Sequence, residues 1–335
     1  MSRADSIFRN TLFIFLAKLI DTAAALAGFV LIARYLGVTG LGRALFVIAF
    51  ISILALIPNL GIDHIIIRDS ARFPERQGRI LGAAVKLKLM LLGAAVVILI
   101  LLLSLLELDT ILKSSIIIFF TAHIAIRETV TIAAHAVFLG RERLEFRTLT
   151  TVAFQMLRLG GILVILLSGY GLPHLFYAYV LAEAVQAMWA IYFIRRYFAP
   201  PDFSAGMEEI KYFFRESYSI GLAFGFTTAF FWLDILLLKF FRGDYENGIY
   251  SSAYRIVSTI ILVAVPVIWV LLPHLSRTFQ DAREKLKAEG HFYLKIIAAV
   301  MTLSALIIGF YANFVVTFAF GEEYAPAGLV LAIVS

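Results

Sequence analysis

The sequence predicts an all-α polytopic membrane protein, and three observations carry that class. Of 335 residues, 61% are hydrophobic and only 16% charged, with a mean hydropathy of +0.92. That is more apolar side chain than one water-soluble core of this size could enclose. Apolar stretches of roughly 20 residues, long enough to cross a ~30 Å hydrocarbon layer, recur along the whole chain. None alternates with period two, so helices are indicated and a porin-type barrel is not.

In order, the spans fall near 11–33, 44–67, 80–106, 114–138, 148–168, 174–194, 217–241, 249–272 and 292–318, and a tenth begins near 324. Glycines punctuate their ends: Gly37 and Gly40 after the first, Gly140 after the fourth, Gly169 and Gly171 after the fifth, Gly243 after the seventh. The first span follows MSRADSIFRN and runs about twice the length of a signal-peptide core. It also contains Lys18 and Asp21, so it is read as an uncleaved first helix.

Basic residues in short connections set orientation. The connections after spans two, four, six and eight carry fifteen Lys and Arg, beginning with Arg68, Arg72, Arg76 and Arg79, against four in the odd-numbered connections. Arg3 and Arg9 side with the even set, which predicts a cytoplasmic N-terminus in the plasma membrane. The net charge of +6 is thereby accounted for without a nucleic-acid partner. Lys239, close to a helix end, is expected to snorkel to the interface. No cysteine is present and the six histidines show no metal-ligand spacing. Outward connections are too short to form an external catalytic domain, so the chain is read as no enzyme, and no cofactor is implied.

The two halves repeat. LIARYLGVTGLGRALFVIAF at 31–50 parallels LLLKFFRGDYENGIYSSAYRIV at 236–257, and IPNLGIDHIIIRDSAR at 57–72 parallels VPVIWVLLPHLSRTFQDAR at 265–283. Arg34 to Lys239, Gly42 to Gly248, Pro58 to Pro266 and Arg68 to Arg277 are separated by 205 to 209 residues. Such a period holds six spans, an even number, so the halves share one orientation about an axis along the membrane normal. The expected domains are a first six-helix lobe at 1–196, a cytoplasmic linker at 197–215, and a partial second lobe at 216–335. Since the sequence stops inside the tenth span, a fragment with about nine or ten of twelve or more helices is expected.

ARYLGVTGLGRALF (33–46), NLGIDHIIIRDSAR (59–72), GIYSSAYR (248–255) and FGEEYAPAGLVLAIVS (320–335) resemble the polysaccharide or O-antigen flippases of the multidrug/oligosaccharidyl-lipid/polysaccharide exporter superfamily. The resemblance covers the chain end to end, in spacing more than in identity. It implies two six-helix lobes around a central cavity. The activity it implies is passage of a polyprenyl-diphosphate-linked oligosaccharide to the outer leaflet by alternating access, with the lipid bilayer as surroundings and Na⁺ or H⁺ as candidate coupling ions. Where relatives often have a proline early in the seventh helix, this chain has Tyr218-Ser219-Ile220.

Charges at bilayer depth cost on the order of ~3 kcal/mol each on insertion scales, so they face a cavity or a partner. Deep in the spans lie Lys18, Asp21, Arg127, Glu128, Arg158, Glu183, Asp234 and Arg255, four cations and four anions. A transported diphosphate needs such an interior, and the planar guanidinium donates to two of its oxygens at once. Gln155 and Gln186, each three residues from a deep charge, are candidate donors to sugar hydroxyls. Interhelical bridges that select helix partners remain the alternative, as does a drug or cation antiporter in which Asp21 or Asp234 exchanges ions. A membrane-embedded glycan ligase or polymerase is a further rival. Asp234 and Arg255, at matched depth in consecutive helices, are expected to pair.

Overall fold

The structure is a computed structural model that describes residues 3–259, 295, 298–299 and 301–335, with side chains described from Ile20 onward. It is all-helical among those residues. The first helix, α1, runs Arg3–Leu54. Fifty-two residues in one straight helix would reach ~78 Å, more than twice the hydrocarbon thickness. The chain resolves this at Gly37, whose φ of +68° breaks α1 into arms at 3–36 and 38–54, and so recovers the first two predicted spans.

The second span ends earlier than its hydropathy indicates. After the short α2 (Leu56–Asn59), Leu60 (φ 39°) and Gly61 (φ 73°) both take left-handed conformations and redirect the chain into α3 (Ile62–Arg72). That helix is amphipathic, burying Ile62, Ile65 and Ile66. The remaining helices are α4 (Gln77–Leu105), α5 (Thr110–Phe120), a π-helix (Thr121–Thr131) and α6 (Ile132–Gly140), then α7 (Leu144–Leu167), α8 (Leu172–Tyr197) and α9 (Met207–Arg242). Beyond them come α10 at 244–259, α11 (Met301–Phe310), bent by 74° against α12 (Ala312–Phe320), and α13 (Ala327–Val334). Asp109 caps α5 by accepting the Leu112 N–H at 2.9 Å.

Six of the described helices or runs of helix are long and apolar enough to cross a membrane, or seven if α11 and α12 form one bent span.

Two apolar cores hold these helices. One gathers Phe46 and Ile51 of α1, Leu99 of α4, Ile116 of α5, Ile162 of α7, Phe176 of α8 and Phe320 of α12. The other gathers Ile66 of α3, Leu81 and Leu87 of α4, Phe138 of α6, Phe146 of α7, Ile194 of α8 and Phe213 of α9. In α4, α7 and α8 the two cores therefore claim opposite ends. The middle of each of these helices carries the polar side chains: Lys88 in α4, Gln155 and Arg158 in α7, Glu183 and Gln186 in α8.

The repeat appears as a reciprocal contact. A Cβ on Gly42 would stand 1.9 Å from the Asp244 carbonyl oxygen, and one on Gly248 would stand 2.1 Å from that of Val38. Both glycines, and both facing residues, are one repeat of 206 apart. Asn247 Nδ2 closes the seam on the Gly42 carbonyl at 3.0 Å. Arg43 bridges Asp109 and Asp244, the latter at 3.2 Å.

Residues 207–215, read from sequence as linker, are the first turns of α9, packed on the first lobe through buried Ile210 and Phe213. Upstream, Asp202 N–H donates to Gly78 O and Lys86 Nζ to Ala205 O, both at 2.8 Å. Arg68 binds Asp69 at 2.8 Å, Glu216 at 3.1 Å and the Tyr212 hydroxyl at 2.7 Å. The hydrogen bond to Asp69, foremost, raises the guanidinium pKa beyond its ordinary value. Further along α9, Gly221 and Gly225 form a small-xxx-small pair. A Cβ on Gly221 would lie 2.5 Å from Leu60 C, and one on Gly61 2.8 Å from Gly221 N, so α9 crosses the α2–α3 break backbone to backbone.

Candidate polar interior of the membrane domain

The polar layer begins at the α2–α3 break. Asn59 Oδ1 accepts the Gly61 N–H at 3.2 Å, which holds the turn, while its Nδ2 donates to Glu128 Oε2 at 3.0 Å. Two residues past the turn, Asp63 Oδ1 lies 2.9 Å from Lys88 Nζ. The same ammonium donates to the Glu128 carbonyl at 2.9 Å. Lys88 is fully buried and Glu128 nearly so. The NLGID stretch is thus a turn that presents one amide and one carboxylate to α4 and the π-helix.

The π-helix sorts two neighbouring charges. Its hydrogen bonds close rings of i to i+5, and Thr129 Oγ1 reaches back to Ile124 O at 3.0 Å. Glu128 faces Asn59 and Lys88, whereas Arg127 faces α8, with Nη1 3.7 Å from Glu183 Oε1. Glu183 is 1% exposed, and its Oε2 has no hydrogen-bond partner among the described residues. Gln186, one turn on, is buried.

A second cluster joins the lobes. Gln155 Nε2 donates to Asp21 Oδ1, tying α7 to α1. Arg158 lies 5.6 Å from the Phe154 ring centroid and 5.5 Å from that of Tyr179. Arg255, from α10, lies 5.4 Å from the Phe29 ring centroid, within electrostatic reach of Asp21, Tyr179 and Arg158. Nε and Nη2 of Arg158 and Nε of Arg255 are buried with no hydrogen-bond partner among the described residues. Cation–π contact satisfies part of such a charge and leaves its in-plane donors unused. Arg147, in the first turns of α7, extends the group toward Asp21 and Arg127.

Of the sequence-derived candidates, Arg127, Glu128, Glu183 and Gln186 fall together in the first cluster, and Asp21, Gln155 and Arg158 in the second. The Lys18 side chain lies outside the described residues. Asp234 and Arg255 do not pair. Asp234 Oδ2 accepts from the Tyr250 hydroxyl at 2.7 Å, and Arg255, five residues on, lies ~140° further round α10 at 3.6 residues per turn. Matched depth alone predicts that pair, and the depth differs as well: Gly243 (φ 94°) makes a one-residue turn, and α10 starts at 244 rather than 249. Lys239 pairs with Asp244, just past the end of its helix, at 2.6 Å and is 15% exposed. Lys88, Asn59 and Asp63 are additions. An ammonium near the middle of a 29-residue helix, out of snorkelling reach of either end, is the signal that identifies Lys88.

The chain matches the family described as "Polysaccharide biosynthesis protein" over residues 7–279. Its fold is similar to that of solved multidrug transporters. One is an inward-facing multidrug resistance MATE family transporter of the MOP superfamily, with TM-score 0.69 and 21% identity over 93% of this chain and 75% of that one. Others are MATE in complex with MaD5 (TM-score 0.62, 19% identity, 98% and 80% covered) and MATE in a bent conformation (0.58, 20%, 98% and 78%). A search of curated proteins finds no match.

Proposed function

This chain belongs to the polysaccharide biosynthesis protein family and has a MATE-type fold of repeated lobes, and from that premise we propose that it is a flippase carrying a polyprenyl-diphosphate-linked oligosaccharide across the plasma membrane. The observation that carries the reading is that Arg158 and Arg255, from the two lobes and within electrostatic reach of each other, keep buried, unpartnered N–H donors. Tetrahedral phosphate oxygens are the ligand such donors match, because two guanidinium forks address a diphosphate that cannot cross hydrocarbon unsolvated. The lipid tail stays in the bilayer. The first lobe at 1–196 and the second at 216–335 move about the seam between Gly42 and Gly248, and the N-terminus is cytoplasmic. Coupling to Na⁺ or H⁺ belongs to the same proposal.

The test is reconstitution of the protein in vesicles with a fluorescent polyprenyl-diphosphate glycan, scored for appearance in the opposite leaflet. Arg158→Ala and Arg255→Ala each reduce the rate about tenfold or more, the loss expected for one charge-assisted contact. The Lys variants restore part of it, because a point charge lacks the fork. Unchanged transport in both Ala variants excludes them from the substrate path.

One observation favours a second reading: Glu183 offers a buried, unpartnered carboxylate oxygen, as a drug or cation antiporter requires. Uptake of an organic cation driven by a proton gradient, lost in Glu183→Gln with glycan transfer absent, selects that reading.

A further inference from the structure

We infer that Lys88 is a tethered internal cation: its ammonium fills a site whose oxygens, Asp63 Oδ1 and the Glu128 carbonyl, would otherwise hold a monovalent metal ion. The inference goes beyond glycan transfer and concerns which cation the first lobe carries.

The site is built from three elements. Asp63 comes from the first turn of α3, placed there by the left-handed Leu60 and Gly61. The Glu128 carbonyl comes from the π-helix. Lys88 crosses to both from α4, with Nζ 2.9 Å from each oxygen and no exposed surface. A carboxylate and a main-chain carbonyl, with a second carboxylate within electrostatic reach, form the hard all-oxygen set that metal cations select.

A lysine ammonium has three donors and no acceptor, so in this setting it performs the neutralising and organising role of such an ion without leaving. Glu128 is drawn into the same arrangement by Asn59. The α2–α3 break is therefore fixed by a charge that belongs to the chain, and its geometry does not depend on the salt outside.

Removing the ammonium should expose the site. In detergent at constant ionic strength and pH 8, replacing choline chloride by sodium chloride is expected to shift the unfolding temperature of the wild type and of Asp63→Asn equally, within about 1 °C. Lys88→Ala leaves Asp63 unpaired, and Na⁺ then raises its unfolding temperature by about 3 °C or more, the response of a protein of this size to a bound ligand. Asp63→Asn/Lys88→Ala, with neither charge, loses the response. Lys88→Gln, which keeps more of the side-chain volume, is read in the same way should Lys88→Ala not be purified.

Two results overturn the inference: a folded Lys88 variant that responds to Na⁺ no more than the double variant, or a wild type stabilised by Na⁺ in a manner that Asp63→Asn abolishes. If neither Lys88 variant yields folded protein, comparison of the wild type with Asp63→Asn decides alone: an equal response to Na⁺ supports the inference and a larger one in the wild type overturns it.

Discussion

Asp234 and Arg255 show how much a residue's direction matters beside its depth. Asp234 belongs with Tyr250 through a 2.7 Å hydrogen bond, and Arg255 belongs with Phe29 and the interior cluster. Double-mutant cycles on stability should therefore separate the two relations. Asp234→Ala with Tyr250→Phe is expected to be non-additive by about 0.5 kcal/mol or more, as for residues in direct contact. Asp234→Ala with Arg255→Ala should add within about 0.5 kcal/mol. Reversed couplings would place Asp234 and Arg255 in one pair after all. The deep charges were legible in the sequence because a charge in an apolar run needs a reason. Their partners were not, since three of them, Asn59, Asp63 and Lys88, meet only once the chain turns at Leu60–Gly61.

At the scale of elements, hydropathy located nearly every helix and misplaced its ends wherever backbone conformation, rather than polarity, terminates it. Gly37 and Gly243 turn the chain within one residue, so the polar residues that follow, such as Asp244, Glu246 and Asn247, already belong to the next helix. The π-helix within the fourth span, likewise, has no signature in a continuous apolar pattern. The crossing of α9 over the α2–α3 break is a prediction site of its own. Gly221→Leu puts a side chain where Leu60 backbone atoms stand 2.5 Å from the first added carbon, and α9 must shift. Overpacking of this kind costs typically about 1–3 kcal/mol. Thermal unfolding should show it for Gly221→Leu and hardly at all for Gly160→Leu, whose added Cβ meets nothing within 4 Å. Equal losses at both positions would mean that the crossing does not set the cost, since leucine is favoured over glycine in a helix.

For the molecule as a whole, the repeat was the most informative reading, because a shared offset of 206 reappears as the mutual contact of Gly42 with Asp244 and Gly248 with Val38. Even-loop basic residues predict the sidedness of that seam. A reporter fused after Arg143 should face the cytoplasm, and reporters at Asp109 and Gly243 should face outward. Opposite labelling would invert the assignment for every helix. What the sequence could not offer at this scale is the attachment of the first turns of α9 to the first lobe, which depends on Arg68 meeting Glu216 and Tyr212 across some 145 residues.

The division of the first lobe into two apolar cores with a polar layer between them also bears on how such a sequence can drift. Within either core one aliphatic residue can replace another at a cost usually below about 1.5 kcal/mol when volume is kept, so those positions are free to change one at a time. The polar layer is not. Losing one member of a buried ion pair costs about 3–5 kcal/mol, whereas exchanging both members for apolar residues can be neutral. Positions 63 and 88, the buried ion pair of the layer, should therefore vary together among relatives. An alignment in which they change independently would mean that the layer is tuned to its cargo rather than to itself.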